Sequence, residues 1–220
     1  MRRLLACALL PAALFHAAPV AAADIFDYFA MYYRQEVAAR AYDGPLDFLS
    51  DAAAAHSTSA QLLEVSASRA VTLDPRIGYL RIDDSSDTDQ ILTVAVYPKA
   101  DGDVLLFVSG SNCADGCSFS AQLFSPSADR LRPVPLSAVI PAIEPAEFIS
   151  RGHPMPKMLT GLTPSIDYVP DRTASKLTVR PWYGYEVEEQ MDAATRGRIR
   201  NLVLSWDRAQ ERFTKPDDDR

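Results

Sequence analysis

The segment Ile91–Leu136, ILTVAVYPKADGDVLLFVSGSNCADGCSFSAQLFSPSADRLRPVPL, decides the fold of this 220-residue chain. It predicts three or four consecutive antiparallel strands, because short runs of β-branched and aromatic residues are separated by turn residues such as Asp-Gly. Residues 91–97 carry apolar side chains on both faces, which is typical of a strand covered on both sides. Residues 118–124 alternate apolar and polar side chains and predict a half-exposed strand.

Helices are predicted before this meander. Residues 24–42 place apolar side chains on one broad face at helical spacing, and Asp24 can cap the first turn. A shorter helix is expected at 46–55. Residues 61–73 predict one or two strands, and residues 79–82 predict another.

A second β unit is predicted after a proline-rich connection at 137–159, where prolines prevent long helices. Residues 175–183 and 199–206 have strand patterns, and residues 185–196 have the pattern of one amphipathic helix. The sequence therefore predicts an α+β fold, with antiparallel β-meander sheets and the N-terminal helices packed on one face.

The first residues indicate export. Arg2 and Arg3, a short apolar run and the Ala-Ala-Ala that ends at Ala23 form the pattern of a secretory signal peptide. We expect a secreted protein, located in the bacterial periplasm. The predicted boundaries are 1–23 for the signal peptide, 24–215 for one α+β domain, 60–136 and 160–215 for two β sub-units within it, and 216–220 for a loose charged tail.

The charge of the mature chain restricts its partners. Cleavage removes two arginines and leaves 20 basic and 29 acidic residues, a net charge of −9. Such a chain is not expected to bind nucleic acid or an anionic membrane surface. No segment after the signal peptide has the length and apolar character of a membrane span.

Cys113 and Cys117 are the two cysteines expected in the mature protein, and they flank a turn. Export favours a disulfide between them. A redox pair usually has two intervening residues at a helix N-terminus, and a zinc site would need two further ligands, so both are weaker alternatives. This disulfide would act as a clip that stiffens a candidate binding loop, whose contact residues are predicted to be Ser109, Ser111, Asn112 and Asp115.

An acidic stretch offers a weak calcium candidate. Oxygen-bearing side chains alternate at Asp83, Ser85, Asp87 and Asp89, as they do at the start of a calcium loop. The stretch lacks the expected glycine, and Val94 occupies the position of the closing glutamate. A solvated hairpin loop is the favoured reading, and no cofactor is predicted.

No catalytic residue is predicted. A serine nucleophile needs an adjacent base, but neither His56 nor His153 lies in a recognisable motif. Glu186, Glu188 and Glu189 have the spacing of an exposed helix face rather than that of a glycosidase pair.

Three stretches resemble a secreted family described only as a domain of unknown function. They are ILTVAVYPKADGDVLLFVSGSNC at 91–113, the strand after Cys117, and LVLSWDRAQERF at 202–213. The resemblance covers about half of the mature chain and implies no activity, substrate or site.

Together these observations predict a non-enzymatic envelope protein that acts as a protein-interaction or binding module, with another envelope protein as partner. One alternative is a small-molecule or calcium binder that uses the 83–89 loop or a pocket between the sheet and the N-terminal helix. The other is a hydrolase without a recognisable motif.

Overall fold

The computed structural model describes residues 25–37, 61–66, 69–84, 90–113, 116–127 and 130–216. The predicted signal peptide, the predicted helix at 46–55 and residues 217–220 lie outside these ranges. The described residues form three layers: an N-terminal helix, a seven-stranded antiparallel sheet and a four-stranded antiparallel sheet. Within them, no helix is both long enough and apolar enough to cross a membrane.

The first sheet is a continuous meander in which every strand pairs with its neighbours in sequence. Antiparallel strands need only tight connections, so the turn signals between the apolar runs translate directly into this order. Its strands are β1 (Gln61–Ser66), β2 (Arg69–Asp74), β3 (Tyr79–Asp84), β4 (Gln90–Pro98), β5 (Val104–Asn112), β6 (Ser118–Ser127) and β7 (Arg130–Val134).

The second sheet is a smaller antiparallel meander. Its strands are β8 (Ser165–Pro170), β9 (Lys176–Trp182), β10 (Leu202–Asp207) and β11 (Arg212–Thr214). Their order in the sheet is β11-β10-β9-β8. The class predicted from the sequence, α+β with antiparallel meanders and helix on one face, is confirmed.

Helices are short throughout the described chain. The helix α1 (Ile25–Tyr32) continues as a π-helical turn at Tyr33–Val37. The remaining helical segments are α2 (Leu136–Val139), α3 (Tyr185–Gln190), α4 (Ala193–Arg196) and the 3₁₀ turns Pro145–Phe148 and Lys157–Leu159.

Two elements differ from the sequence-based expectation. The single helix expected at 185–196 is divided because the Asp192 carboxylate accepts a hydrogen bond of 2.6 Å from the Thr195 amide and starts a new helix there. The sequence did not predict strand β8, because Pro164 precedes its six residues, Pro170 is the last of them, and Asp167 is charged. The strand forms because its backbone pairs with β9, although its local sequence has little preference for a strand.

Aromatic side chains join the two sheets. Tyr97 of β4 lies between Phe107, Trp206 and Phe213, with ring centroids 6.3, 5.4 and 4.9 Å away. The Tyr97 hydroxyl donates a 2.9 Å hydrogen bond to the Lys176 carbonyl of the second sheet. Tyr97 is fully buried, so this bond avoids the cost of an unpaired buried hydroxyl.

The opposite face of the first sheet is covered by α1. Ile25, Phe29 and Tyr32 of the helix are buried there, and the Tyr32 ring meets the Phe124 ring edge-on at 5.8 Å. Strand β4 is therefore covered on both sides, and its successive residues Val94 and Ala95 are both fully buried. The apolar run at 91–97 gives the strand two apolar faces, because neighbouring side chains of a strand point to opposite faces.

The edge strand β7 is capped by a side chain from the π-helical turn. The Gln35 amide donates to the Leu131 carbonyl and accepts from the Leu131 amide, both at 2.9 Å. Two residues further along, Pro133 has no amide hydrogen to offer. A side chain thus takes the place of a further strand at an edge that could otherwise pair with another chain.

Replacing this cap should weaken the fold. We expect Gln35→Ala to lower the free energy of unfolding by about 1–2 kcal/mol, because two hydrogen bonds to the strand edge are lost. Urea unfolding followed by circular dichroism measures the change. The exposed Gln190 provides a matched control, and equal effects of Gln35→Ala and Gln190→Ala would contradict the capping role.

The β2–β3 turn requires a glycine. Gly78 has a φ of +66°, and an added Cβ would lie 2.7 Å from the Val96 Cβ. Gly102 in the β4–β5 turn has a φ of +94°, but no atom lies within 4 Å of an added Cβ. The two positions therefore share the backbone strain and differ in steric crowding.

We expect Gly102→Ala to cost about 1–2 kcal/mol, since an L-residue with positive φ is strained. Gly78→Ala should lower the free energy of unfolding by about 1–3 kcal/mol more than Gly102→Ala does, because the new methyl group would clash with Val96 of β4. Paired thermal and denaturant unfolding curves measure the difference. Equal losses for the two variants would show that the contact with Val96 relaxes freely.

Candidate functional site

The inner face of the first sheet changes from apolar to polar along its strands. The apolar cross-strand row, which the second sheet covers, consists of Tyr79, Ala95, Phe107 and Leu123. The next row, two residues further along each strand, consists of Arg81, Thr93, Ser109 and Ala121. Because strand residues two apart share a face, this polar row continues the core surface beyond its apolar part.

The polar row forms one wall of a small cleft between the two sheets. The opposite wall comes from β8 and β9. We call this feature the inter-sheet cleft, and its polar lining residues are Arg81, Thr93, Ser109, Ser111, Asp167 and Arg180. Ile91, Tyr168 and Val169 complete its lining together with Gly110.

The volume of the inter-sheet cleft is about 50 Å³. That space admits a few water molecules or one small chemical group. Pockets that enclose a whole organic ligand usually measure several hundred cubic ångströms. The cleft can therefore receive only part of a larger molecule.

A tight ion pair occupies one side of the cleft. The Arg81 guanidinium donates from Nε to Asp83 Oδ1 and Oδ2 at 3.0 and 2.9 Å, and from Nη2 to Oδ1 at 2.6 Å. Alternation along β3 places both side chains on the same face as the buried Tyr79. Burial raises the pKa of the Tyr79 phenol, and the Arg81 charge opposes that rise.

A looser ion pair occupies the other side. Arg180 Nη1 lies 3.9 Å from Asp167 Oδ2, and the two residues face each other across the β8–β9 ladder. Burial raises the pKa of the Asp167 carboxyl, while Arg180 and then Arg81 act to lower it. The Asp167 carboxylate therefore lies in the field of arginines from both sheets.

Three residues predicted to belong to a binding loop, Ser109, Ser111 and Asn112, lie instead in strand β5, because their backbone pairs with β6. Ser109 and Ser111 line the inter-sheet cleft, and Asn112 is the last residue of β5, paired with Ser118. Asp115 lies outside the described residues. Cys113 and Cys117 are joined by a disulfide, and their Cα atoms are 4.1 Å apart.

The calcium candidates are only partly described. Asp83 is held by the Arg81 guanidinium, while Ser85, Asp87 and Asp89 lie outside the described ranges. Over the part of the chain that is described, no group of three or more His, Cys, Asp or Glu residues is placed to hold a metal ion.

Other residues weighed for catalysis lie elsewhere. His153 is exposed in a turn of the connecting segment, and His56 lies outside the described residues. Glu188 of α3 accepts a hydrogen bond from the Tyr183 amide. Glu186 and Glu189 are exposed on the same short helix.

Sequence reasoning missed Arg81, Thr93, Asp167 and Arg180 as site residues. A signal exists for Thr93, since a polar side chain interrupts a face of β4 whose other residues are the apolar Ile91, Ala95 and Tyr97. Arg81 gives no such signal, because it shares its face of β3 with the charged Asp83. For Asp167 and Arg180 no local signal exists, because only the packing of the second sheet on the first brings them to the cleft. The predicted pocket between sheet and helix differs in place from this cleft, which lies on the opposite face of the first sheet.

Comparisons with known proteins inform the fold alone. No family model matches this chain, and no curated protein sequence matches it. It is similar to a solved structure described as "Structure of a domain of an uncharacterized protein from Porphyromonas gingivalis W83", with a TM-score of 0.57 and 13% sequence identity. The match covers 79% of this chain and 90% of that chain. At this identity the shared feature is the chain fold.

The raised pKa of Asp167 predicts a pH-dependent stability difference. The unfolded carboxyl titrates near 3.8, and its folded pKa is higher, so the folded state disfavours the ionised form. This cost is absent below the unfolded pKa and complete above the folded pKa. Asn is neutral at every pH, so the stability of Asp167→Asn relative to the native protein should rise between about pH 3 and pH 7.

Urea unfolding of both proteins across that range measures the effect. Ser205→Ala, an exposed change on β10, introduces or removes no titrating group and should give a difference that does not vary with pH. A relative stability of Asp167→Asn that falls as the pH rises would contradict the assigned direction.

Proposed function

We propose that this protein is a non-enzymatic binding module of the bacterial periplasm, exported by its N-terminal segment and bound to another envelope protein through the disulfide-clipped end of the β5–β6 hairpin. The observation that carries the proposal is the position of the clip. Cys113 follows directly on the last residue of β5, and Cys117 directly precedes the first residue of β6. The hairpin end is therefore closed both by the strand ladder and by a covalent bond.

The rigidity of this hairpin favours recognition. Strand β5 is central in the first sheet and pairs with β4 on one side and β6 on the other. Leu106 and Phe107, near its other end, are fully buried. Residues at the end of such a strand, Ser111 and Asn112, lose little conformational entropy on binding, and this raises affinity.

The disulfide also supports the proposed location. Disulfides form and persist in oxidising compartments such as the periplasm, whereas cytosolic proteins keep their thiols reduced. The Arg2-Arg3 start and the Ala-rich end of the first 23 residues are typical of a secretory signal peptide, and this pattern also supports export.

Binding is favoured over hydrolysis by the chemistry of the cleft beside the hairpin. Ser109 and Ser111 are its serines, and the charged groups around them are Arg–Asp pairs. No histidine lines the cleft among the residues that the structure describes. A serine nucleophile needs a base within hydrogen-bond reach, and arginine cannot serve as one. The carboxylates at the cleft, Asp167 and Asp83, are paired with Arg180 and Arg81 rather than with a serine.

The proposal is tested by affinity capture from an oxidised periplasmic extract, with chemical cross-linking, followed by titration of the purified partner. We expect the double variant Cys113→Ser/Cys117→Ser to bind that partner about tenfold more weakly, since opening the clip adds an ordering cost of about 1.4 kcal/mol. Hydrogen exchange should show protection at 109–118 in the complex.

A matched control lies at the opposite end of β5. Asp101 Oδ1 accepts a 2.9 Å hydrogen bond from the Asp103 amide, so Asp101→Ser loosens the β4–β5 turn without touching the clipped hairpin. This variant should retain full affinity. Unchanged binding by the cysteine variant, or protection confined to other segments, would refute the hairpin as the contact surface.

A further inference from the structure

We infer that the inter-sheet cleft is a second binding site, separate from the clipped hairpin end, and that it takes a pair of adjacent hydroxyl groups at the end of a neutral carbohydrate. The cleft is lined by the guanidinium groups of Arg81 and Arg180, by the Asp167 carboxylate and by the hydroxyls of Thr93, Ser109 and Ser111. The two arginines are paired with Asp83 and Asp167. This composition goes beyond the proposed protein contact, which does not require it.

The charge of the cleft selects a neutral ligand. Arg81 and Arg180 are balanced by Asp83 and Asp167, one on each side. An anion drawn to Arg180 would approach the Asp167 carboxylate, which lies 3.9 Å from Arg180 Nη1. A cation drawn to Asp167 would meet the two guanidinium groups. Ions of either sign are therefore opposed at short range.

The hydrogen-bonding groups select a ligand that both donates and accepts. Arginine offers only donors, an ionised aspartate offers only acceptors, and the hydroxyls of Thr93, Ser109 and Ser111 offer both. Each hydroxyl of a sugar can accept from a guanidinium and donate to a carboxylate at the same time. Two adjacent hydroxyls match the two-pronged geometry of these planar groups.

The size of the cleft selects the end of a sugar rather than a whole ring. A volume of about 50 Å³ corresponds to about four water-sized positions. Two hydroxyls and the carbons that carry them fill such a space. The remainder of the ring would stay at the rim, where Ile91, Tyr168 and Val169 offer apolar contact.

The two ion pairs have different roles in this site. Arg81 makes three close contacts with Asp83 and stays fixed. Arg180 is only loosely paired, and its side chain is 53% exposed, against 20% for Asp167. Arg180 and Asp167 can therefore turn to a ligand at little cost, and we assign them as the ligand-contacting pair.

The test is an NMR titration of the ¹⁵N-labelled protein with methyl glycosides of neutral hexoses. A uronic acid and a neutral blocked dipeptide serve as the anionic and amide probes. We expect amide shifts at Gly110, Ser111 and Asp167 with the neutral sugars, and a dissociation constant of about 1–10 mM, as suits a few contacts in a shallow site.

Two variants and one control sharpen the result. Asp167→Asn and Ser109→Ala should each weaken sugar binding about tenfold or more, because a charge-assisted acceptor or a buried hydroxyl is lost. Glu186→Gln on the exposed face of α3 should bind as the native protein does. Melting temperatures no lower than that of the native protein separate loss of binding from loss of folding.

Several outcomes would overturn the inference. Shifts with the uronic acid alone would make the cleft an anion site, and shifts with the dipeptide alone would make it a peptide site. No cleft shifts with any probe, or shifts that persist unchanged in Asp167→Asn, would also refute it. Sugar binding retained in Cys113→Ser/Cys117→Ser keeps this result independent of the hairpin proposal, whereas its loss would contradict two separate sites.

Discussion

The rest of the structure depends on the hydrogen bond that the buried Tyr97 hydroxyl donates to the second sheet. This hydroxyl lies in the middle of an aromatic cluster, and it is satisfied only when the Lys176 carbonyl of the second sheet is within reach. Burial raises the pKa of Tyr97 well above its usual range, so the hydroxyl remains a donor at every physiological pH. Trp206 reinforces the arrangement, because its indole donates to the Pro98 carbonyl at 2.8 Å. One end of the sandwich is thereby fixed.

The inter-sheet cleft follows from that constraint. The aromatic cluster holds the two sheets together at the Pro98 end of β4. Toward the other end of β4, the same face of the first sheet carries polar residues. The Arg81 guanidinium could not be enclosed in a dry core without a partner. The sheets instead leave a small space there, bordered by ion pairs and hydroxyls.

One strand, β5, contributes residues to both the inter-sheet cleft and the clipped hairpin. Strand β5 contributes Phe107 to the aromatic core, Ser109 and Ser111 to the cleft, and Asn112 to the base of the hairpin end. A rigid core position therefore holds both candidate binding features. Both candidate binding features are therefore anchored to residues that cannot move without disrupting the core.

The sequence by itself determined the antiparallel meander, the covered strand β4, the helix on one face and the pairing of the cysteines, because each depends on period-two patterns, turn residues or short chain separations. Ser109 and Ser111, which follow a buried run on the way to the disulfide, stay a prediction as contact residues, and the structure has them in strand β5 rather than in a loop. Only the tertiary structure decided that Asp167 and Arg180 face Arg81, and that β8 is a strand. Those placements depend on how the second sheet packs over the first, through contacts between Tyr97 and residues more than a hundred positions away, such as Phe213, and no local pattern encodes contacts at that separation.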